Sequence, residues 1–282
     1  MHLFKWLVTA FISLVLMSHS WAQNTSDPVI PNFWDPQERV VKPGLQGVQR
    51  MKFLTVTNFP PFSFIDDKNQ LRGFHVDLAR AICAELNLSQ VCQIQAIPFE
   101  EIEQALKAGG AEVALAGHAI TRNSRQRLLF SRPYFRLPAR FIAKPATGLS
   151  EPMAKSLSGK TVGIVVDTAH AAYAKAYFGD MALRQFDALE TAMVALEKDE
   201  ISAVFSDGLD LSFWMQRKGA KSCCEFAGGP YLDETYFGRG LAATLAPNET
   251  DLEIAINFAL RSINDKGIFG EMYLRYFPIS LY

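Results

Sequence analysis

The sequence has little of what nucleic-acid binding, metal binding or membrane anchoring requires. Its 28 lysines and arginines face 29 aspartates and glutamates, and the formal net charge of −1 excludes the clustered basic excess that nucleic acids need. It has no CxxC motif, no histidine cluster and no P-loop, so we predict no metal and no cofactor. Past the first residues, no apolar run approaches the ~18 residues of a membrane-spanning helix.

The first residues have the pattern of a secretory signal peptide. Lys5 precedes the apolar stretch WLVTAFISLVLM, and SWA is a small-x-small approach to a cut after Ala22. We therefore predict a signal peptide over 1–22 and an exported, soluble mature protein. Residues 23–50 carry four prolines and little periodicity, which predicts an amino-terminal arm rather than a domain.

Cysteines are few, and an exported protein can oxidise them. Cys83 and Cys92 lie at a predicted helix and at the strand after it. A disulfide between them would close a short loop and stabilise the fold by about 2–3 kcal/mol. Cys223 and Cys224 are adjacent, and the sequence leaves open both a strained bond between neighbours and two free, buried thiols.

What the sequence does contain is an alternation of strands and helices. MKFLTVTN, GFHVDLARAICAEL, FEEIEQALKAG and EVALAG read as strand, helix, helix and strand, with a further strand before FEEIEQALKAG. The pattern returns in KTVGIVV, TAHAAYAKAYF, LRQFD, LETAMVALEKD and ISAVFSD. Such alternation predicts two α/β lobes with parallel sheets. We place the first lobe at 51–143, the second at 144–238, and a return to the first at 239–282.

Strand ends locate the expected site. In open α/β sheets, ligands bind beyond the carboxyl ends of strands. Gly117 to Thr121 follow a buried strand of the first lobe, and Ser206 and Asp207 end a strand of the second. Two lobes with opposed strand ends form a cleft that closes on a ligand by hinge motion.

Several of these segments together resemble the periplasmic solute-binding proteins of family 3, the receptors of polar amino acid ABC importers. The resemblance lies in GFHVDLARAICAEL, ALKAGGAEVALAGHAITRNSRQRLLFSRPYF, LSGKTVGIVVDTAH and ISAVFSD, and it covers about residues 51–277. It implies a two-lobed periplasmic-binding-protein fold of type II with two hinge crossings and a ligand cleft between the lobes. It also implies a periplasmic monomer, a small-molecule ligand such as an amino acid or small carboxylate, and an ABC permease in the inner membrane as partner.

Carried over by position, the resemblance implies a particular cleft. Aromatic rings flank the ligand side chain, the first strand end lines the lobe-one wall, and the start of a helix in lobe two offers N–H groups to the α-carboxylate. An acid at the end of the last strand takes the α-ammonium. The positions concerned are Phe59, Phe99, Gly117, His118, Ala119, Asp167, Thr168 and Asp207.

The carboxylate-binding arginine of the family is displaced here. Most amino acid binders have it three residues after the threonine, where this chain has Ser124, and a guanidinium follows one position later at Arg125. We predict that Arg125 binds the carboxylate through two parallel hydrogen bonds, with a salt bridge inside lobe one as the alternative. Arg122, Arg127 and Arg132 are predicted to be solvated or paired surface cations.

Other positions also depart from the family or admit a structural role. Asp167 stands where the family usually has glycine, and Gly117 and Ala119 stand where polar binders often have hydroxyls. Asp207 is equally placed to cap the helix GLDLSFWM. The two phenylalanines and His118 also suit a packed core, and His75 and His170 are predicted to be structural.

We expect binding rather than catalysis: a periplasmic protein that captures a small polar solute for ABC-type import. Two alternatives stay open. One is a non-transport accessory protein that holds a periplasmic partner. The other is an enzyme like the cyclohexadienyl dehydratases, which share the scaffold; His118, Asp167 or Asp207 would then supply general acid chemistry.

Overall fold

The computed structural model describes residues 29–35, 37, 40–41, 44–45, 47–217, 223–277 and 279–282. In this part of the chain two α/β lobes form, each around a five-stranded sheet. The predicted signal peptide and the beginning of the predicted arm lie outside the described residues.

The first lobe begins with alternating strands and helices that the sequence pattern predicted. Its elements are β1 (Met51–Thr55), β2 (Asn58–Phe59), β3 (Ser63–Ile65), β4 (Leu71–Arg72), α1 (Phe74–Glu85), β5 (Cys92–Ala96), α2 (Phe99–Lys107), β6 (Val113–Ala114) and β7 (Leu129–Phe130). Strands β5 and β6 both pair with β1 in parallel, which gives the sheet its predicted parallel centre. Strands β2, β3 and β4 form a separate small antiparallel sheet.

The second lobe repeats the alternation. Its elements are β8 (Ala139–Ala143), α3 (Met153–Ser156), β9 (Thr161–Val165), α4 (Ala169–Tyr177), β10 (Ala182–Phe186), α5 (Leu189–Glu197), β11 (Ala203–Asp207), α6 (Gly208–Gln216), β12 (Glu225–Tyr231) and α7 (Glu234–Phe237). The strand order is β10-β9-β11-β8-β12, with β8 antiparallel to both of its neighbours.

The chain then returns to the sheet of the first lobe. Strand β13 (Thr244–Leu245) completes the order β5-β1-β6-β13-β7, and α8 (Thr250–Asp265) and α9 (Ile268–Tyr276) follow. The apolar face predicted for α1 is buried here: Leu78 and Ile82 share a core with Ala259 and Ile263 of α8. No described helix is long and apolar enough to span a bilayer.

Two segments cross between the lobes side by side. The first crossing lies between β7 and β8, and the second crossing lies between α7 and β13. Leu241 N donates to Phe135 O at 2.7 Å, and Tyr134 N donates to Leu241 O at 2.9 Å. The first crossing therefore ends before β8, which lies inside the second sheet, whereas the sequence analysis kept residues up to 143 in the first lobe. Every residue of β8 is buried, and a strand without alternating exposure carries no signal of the sheet it joins.

The disulfides resolve one prediction and one open alternative. Cys83 in α1 is bonded to Cys92 at the start of β5, with 6.1 Å between Cα atoms, so the predicted bridge is confirmed. Cys223 and Cys224 are also bonded to each other, the first of the two alternatives.

Candidate functional site

Gly117, just after β6, holds a conformation that requires glycine. Its φ is +79°, and an added Cβ would lie 2.9 Å from Cε1 of Phe59. Phe59 in turn packs against Phe62 and His75, with ring centroids 4.8 and 5.8 Å away. The Phe59 ring therefore covers the end of β6 at Gly117 and also packs against the core of the first lobe.

The second predicted aromatic, Phe99, is at the surface of the cleft. It begins α2, is 43% exposed and stacks on His118 with ring centroids 4.5 Å apart. His118 is only 9% exposed, and burial lowers its pKa while the Glu103 carboxylate acts in the opposite direction. A neutral imidazole stacked on an exposed phenyl ring gives this wall a flat, largely apolar surface.

Ser124 stands at the position where most of the family has the carboxylate-binding arginine, and here it forms a turn. Ser124 Oγ donates to Ala119 O at 2.7 Å and accepts from Thr121 N at 2.9 Å, while Thr121 Oγ1 accepts from Ser124 N at 3.0 Å. These bonds fold residues 119–124 into a compact turn. Arg125 follows on its surface, exposed and without a side-chain hydrogen bond or ion pair to any described residue.

Arg127, two residues further on, forms an ion pair with a carboxylate. Its Nε and Nη2 donate to Glu103 Oε1 and Oε2 at 2.8 and 3.1 Å, and its Nη1 donates to Asn123 at 2.9 Å. Hydrogen bonds from Arg127 and Lys107 hold the pKa of Glu103 below its usual range. The pairing predicted for Arg127 is thus confirmed.

Two cavities open on these residues. The first, here the side cavity, has a volume of about 380 Å³; it is lined by Phe99, Glu100, Glu103, His118, Ala119, Thr121, Asn123, Ser124, Arg127 and Leu128. The second, here the hinge cavity, measures about 390 Å³; it is lined by residues 117–121, Leu137 and residues 234–241. His118 and Ala119 face both cavities, so the first strand end is the floor that they share.

The sequence analysis missed one wall of the hinge cavity. Helix α7 and the second crossing form it, and Arg239 and Glu234 bring opposite charges there, with Nε and Oε2 3.3 Å apart. His170 of α4 stacks on Phe237 at 5.0 Å, and burial lowers the pKa of this histidine to about 4. The boundary predicted at residue 239, where the chain returns to the first lobe, falls inside this wall, and that closeness to a hinge was the available signal.

In the second lobe, the turn before α4 explains a departure from the family. Asp167 has φ +57°, in the left-handed region that glycine adopts freely and that aspartate tolerates better than most residues. Thr168 follows as the N-cap: its Oγ1 accepts from Ala171 N at 3.1 Å and donates to Val165 O at 2.8 Å. The carboxylate of Asp167 stays exposed and does not cap the helix itself.

Asp207 ends β11 and caps α6. Its Oδ1 accepts from Leu209 N at 2.7 Å and from Asp210 N at 3.3 Å, while Oδ2 takes part in no hydrogen bond to the described residues. Burial, assisted by the charge of Asp210, raises the pKa of Asp207 to about 6 against the pull of these hydrogen bonds. The capping role is therefore present, and one oxygen stays available.

The structure brings only some of the predicted site residues together. Phe99, His118 and Ala119 share the side cavity, and Gly117 joins the latter two in the hinge cavity. Neither cavity is lined by Phe59, Arg125, Asp167, Thr168 or Asp207.

The remaining histidine and the acids form no other site in the part of the chain that the structure describes. His75 is buried, with Nε2 2.8 Å from the Tyr134 hydroxyl, and burial lowers its pKa to about 3. Its role is structural, as predicted. The described residues contain no group of three or more histidine, cysteine or acidic side chains placed to hold a metal.

Two α/β lobes, two adjacent crossings and strand ends that open on a cavity at the hinge define a binding protein of the hinged, two-lobed class. The chain belongs to the bacterial extracellular solute-binding proteins of family 3, whose family model matches residues 51–279. The family resemblance drawn from the sequence is confirmed, and so is the type II periplasmic-binding-protein fold.

Relatives and solved structures agree with this assignment. The arginine-binding periplasmic protein of Mannheimia haemolytica is 29% identical over 216 residues, which cover 77% of this chain and 86% of that protein. ABC transporter arginine-binding protein 1 of Escherichia coli is 26% identical over 83% of this chain and 93% of its own length. The unliganded, open L-cystine solute receptor of Neisseria gonorrhoeae superposes with a TM-score of 0.70 at 16% identity, covering 82% of this chain and 94% of the receptor. The two relatives and the receptor named here are binding proteins.

Proposed function

We propose that this protein captures an amino acid or a related small carboxylate in the periplasm and hands it to an ABC permease of the inner membrane. The observation that carries the proposal is the hinge cavity. It lies where the first strand end meets the second crossing, and its volume of about 390 Å³ is in the range of small-molecule sites. A ligand held there touches both lobes and favours their closure.

Closure would bring the second lobe to the ligand. The first four N–H groups of a helix are unsatisfied within it and attract anions. Helix α4, capped by Thr168, offers such groups, and Asp207 offers an oxygen without a hydrogen bond. We propose that these elements receive the carboxylate and the ammonium of a zwitterion as the hinge closes.

Arg125 is our candidate for the second carboxylate contact. Arg125, like Arg122, is exposed and makes no side-chain ion pair with a described residue, whereas Arg127 is held by Glu103; Arg125 is the one that lies a single position after the family's arginine. A long, free side chain at the edge of the turn can swing toward a ligand without breaking an existing ion pair. This contact has to form on binding, since Arg125 lines neither cavity.

L-Arginine is the first ligand to test. Two of the relatives named above are named as arginine-binding proteins. Glu100 lines the side cavity beside Phe99 and makes no ion pair with a described residue, so a carboxylate next to an aromatic ring is free for a cationic side chain. Glu103 is already neutralised by Arg127 and Lys107.

We propose that the cleft binds without turnover. Of the three side chains considered as general acids, His118 lines the cleft floor, Asp167 lies outside both cavities, and Asp207 is proposed to meet the ligand ammonium on closure rather than a leaving group. Acid catalysis needs the acid within hydrogen-bond reach of the leaving group.

The test is a thermal-shift screen of the purified protein with amino acids, small dicarboxylates, polyamines and prephenate-type acids. A ligand at 100 times its dissociation constant should add about 2.7 kcal/mol of stability, which a melting curve detects. A shift confined to one class of amino acid, with no product formed, supports a receptor. Product from a prephenate-type acid would instead support the dehydratase alternative. No shift with any compound, together with a stable complex with a periplasmic protein, would support the accessory alternative.

A further inference from the structure

Residues 279–282, here called the strap, contact the cores of both lobes. Leu281 is fully buried in the first lobe's core, beside Tyr273 and Phe277. Ile279, two residues before it, packs against the second lobe's cluster that contains Ile142 and Trp214. A four-residue segment that is anchored in two bodies restrains how those bodies move relative to each other.

The strap is bonded to the first crossing. The Tyr282 hydroxyl donates to the backbone carbonyl of Arg136, and burial raises the pKa of this phenol, which keeps it a neutral donor. The Tyr282 ring meets the edge of Phe33 at 5.7 Å, and the Arg136 guanidinium lies over the same phenyl ring at 5.7 Å. Phe33 belongs to the amino-terminal arm, so arm and strap meet at one residue of the hinge.

Arg140, in β8 just after the first crossing, is held by the strap as well. It is 8% exposed, its Nη1 donates to Leu281 O at 2.9 Å, and its guanidinium lies 4.6 Å from the Phe226 ring. No carboxylate of the described chain forms an ion pair with it. A buried charge without a counter-ion is costly, so the strap carbonyl and the aromatic ring are the groups that stabilise it.

The crossing held in this way adjoins Asp207. Gly208 N donates to Pro138 O at 2.8 Å, and Asp207 pairs with Ala139 between β11 and β8. The backbone between Arg136 and Arg140 therefore has the strap on one side and the end of β11 on the other. A shift of this backbone also moves Asp207, the carboxylate that we propose binds the ligand ammonium.

We propose that the strap sets the balance between open and closed forms of the cleft by fixing the first crossing, with Tyr282 and Arg140 as its positioning residues. The inference goes beyond ligand capture and rests only on the two-lobed fold. It holds whichever small molecule the cleft takes.

The test measures the distance between the lobes without any ligand. Spin labels are placed at Gln104→Cys in α2 and Lys175→Cys in α4, two exposed positions, and pulsed electron resonance gives the distance distribution. Tyr282→Phe removes only the hydroxyl that binds Arg136. Losing one such hydrogen bond should change the ratio of open to closed molecules about fivefold.

Tyr276→Phe is the matched control. Its hydroxyl donates to Asp77 Oδ2 at 2.8 Å within the first lobe, away from the crossing, so this variant loses a similar bond without touching the hinge. We expect its distance distribution to equal that of the unmodified protein. The proposal is overturned if Tyr282→Phe gives the same distribution as Tyr276→Phe.

Arg140→Met separates positioning from stability. The substitution replaces the guanidinium by an apolar side chain of similar length and removes both the buried charge and its bond to Leu281. Because a buried charge without a counter-ion is costly, we expect its removal to offset the loss of that bond. We expect an unchanged or higher melting temperature together with an altered distance distribution. An unaltered distribution in this variant would also overturn the proposal.

Discussion

The two lobes present different chemistry where their strands end. In the first lobe the strand end is glycine, a buried histidine and alanine, and the polar groups around it bind one another: Ser124 binds Ala119, and Arg127 binds Glu103. In the second lobe the strand ends run directly into helices that Thr168 and Asp207 cap. We therefore propose that the first wall selects mainly by shape and that the second offers charge and N–H groups.

We propose that the two lobes share the polar recognition of a ligand. A ligand resting on the first wall contacts flat rings and backbone, with Arg125 as its candidate charged partner there. The charge and the N–H groups of the second lobe reach the ligand only on closure. Such a division couples binding to closure, because neither wall alone satisfies a zwitterion.

The largest effect should come from removing the charge of the second lobe. Asp207→Asn keeps the N-cap, since asparagine caps helices about as well as aspartate, but it leaves the ligand ammonium without a counter-charge. We expect amino acid affinity to fall by about 2–5 kcal/mol in isothermal titration calorimetry. Unchanged affinity would remove Asp207 from the site and leave it only as a cap.

The same residue predicts a pH dependence. The pKa of Asp207 in the fold, about 6, lies above its ordinary value of 3.8, so its stabilising contribution is complete below the ordinary value and is lost as the pH rises through 6. Asp207→Asn should therefore gain about 3 kcal/mol relative to the unmodified protein between about pH 4 and about pH 8. In the unmodified protein, ammonium binding should weaken as the pH falls below 6. Chemical denaturation and calorimetry across this range measure both.

A nearly equal effect should separate the two arginines of the first lobe. Arg125→Ala should cost about 2–5 kcal/mol of affinity for a carboxylate ligand if the free guanidinium binds it. Arg127→Ala breaks the exposed pair with Glu103, worth about 0–1 kcal/mol of stability, and the hydrogen bond to Asn123, and should leave affinity nearly unchanged. Equal losses in the two variants, or a loss in Arg127→Ala alone, would mean that Arg125 is not the anchor.

A smaller effect tests the shape of the first wall. Gly117→Ala should lower the unfolding free energy by about 2–3 kcal/mol, because it adds a contact with Phe59 to the strain of a positive φ. Gly109→Ala is the control: φ is +69°, nothing lies within 4 Å of the added Cβ, and the expected loss is about 1–2 kcal/mol. Equal losses in urea denaturation would show that the Phe59 ring yields freely.

The smallest effect concerns the cap of α4. Thr168→Ala removes the acceptor for Ala171 N and should destabilise the protein by about 1 kcal/mol, whereas Thr168→Ser keeps the hydroxyl and most of the stability. Ligand affinity should follow the same order if the first turn of α4 receives the carboxylate. Affinity that is the same in both variants would place the carboxylate elsewhere.

The sequence predicted the lobes better than it predicted the site. Periodic apolar faces and strand–helix alternation predicted α1 and both sheets, because burial imposes those patterns on every residue of an element. The place of β8 in the second sheet was not predicted, because all of its residues are buried and no alternation indicates which sheet it joins. The return crossing was located, but the wall that α7 makes depends on how two distant segments pack.

Site residues were harder because their roles depend on direction. Ser124 and Arg125 are neighbours in the sequence. Only the turn shows that the Ser124 hydroxyl is hydrogen-bonded to Ala119 and Thr121, while the Arg125 guanidinium makes no bond to a described residue. For Asp167 the conformation supplies the reason for the departure: a left-handed turn that glycine or aspartate can adopt. The roles of Phe59, Arg125, Asp167, Thr168 and Asp207 in ligand binding stay predictions.

The measurement that tests the central claim most directly is small-angle X-ray scattering of the purified protein, without ligand and with a saturating mixture of the twenty amino acids. If the cleft between the lobes holds an amino acid, the hinge should close and the radius of gyration should decrease, and omitting single amino acids from the mixture would identify the ligand. A radius of gyration that the mixture leaves unchanged, in a protein whose melting temperature it also leaves unchanged, would contradict the account.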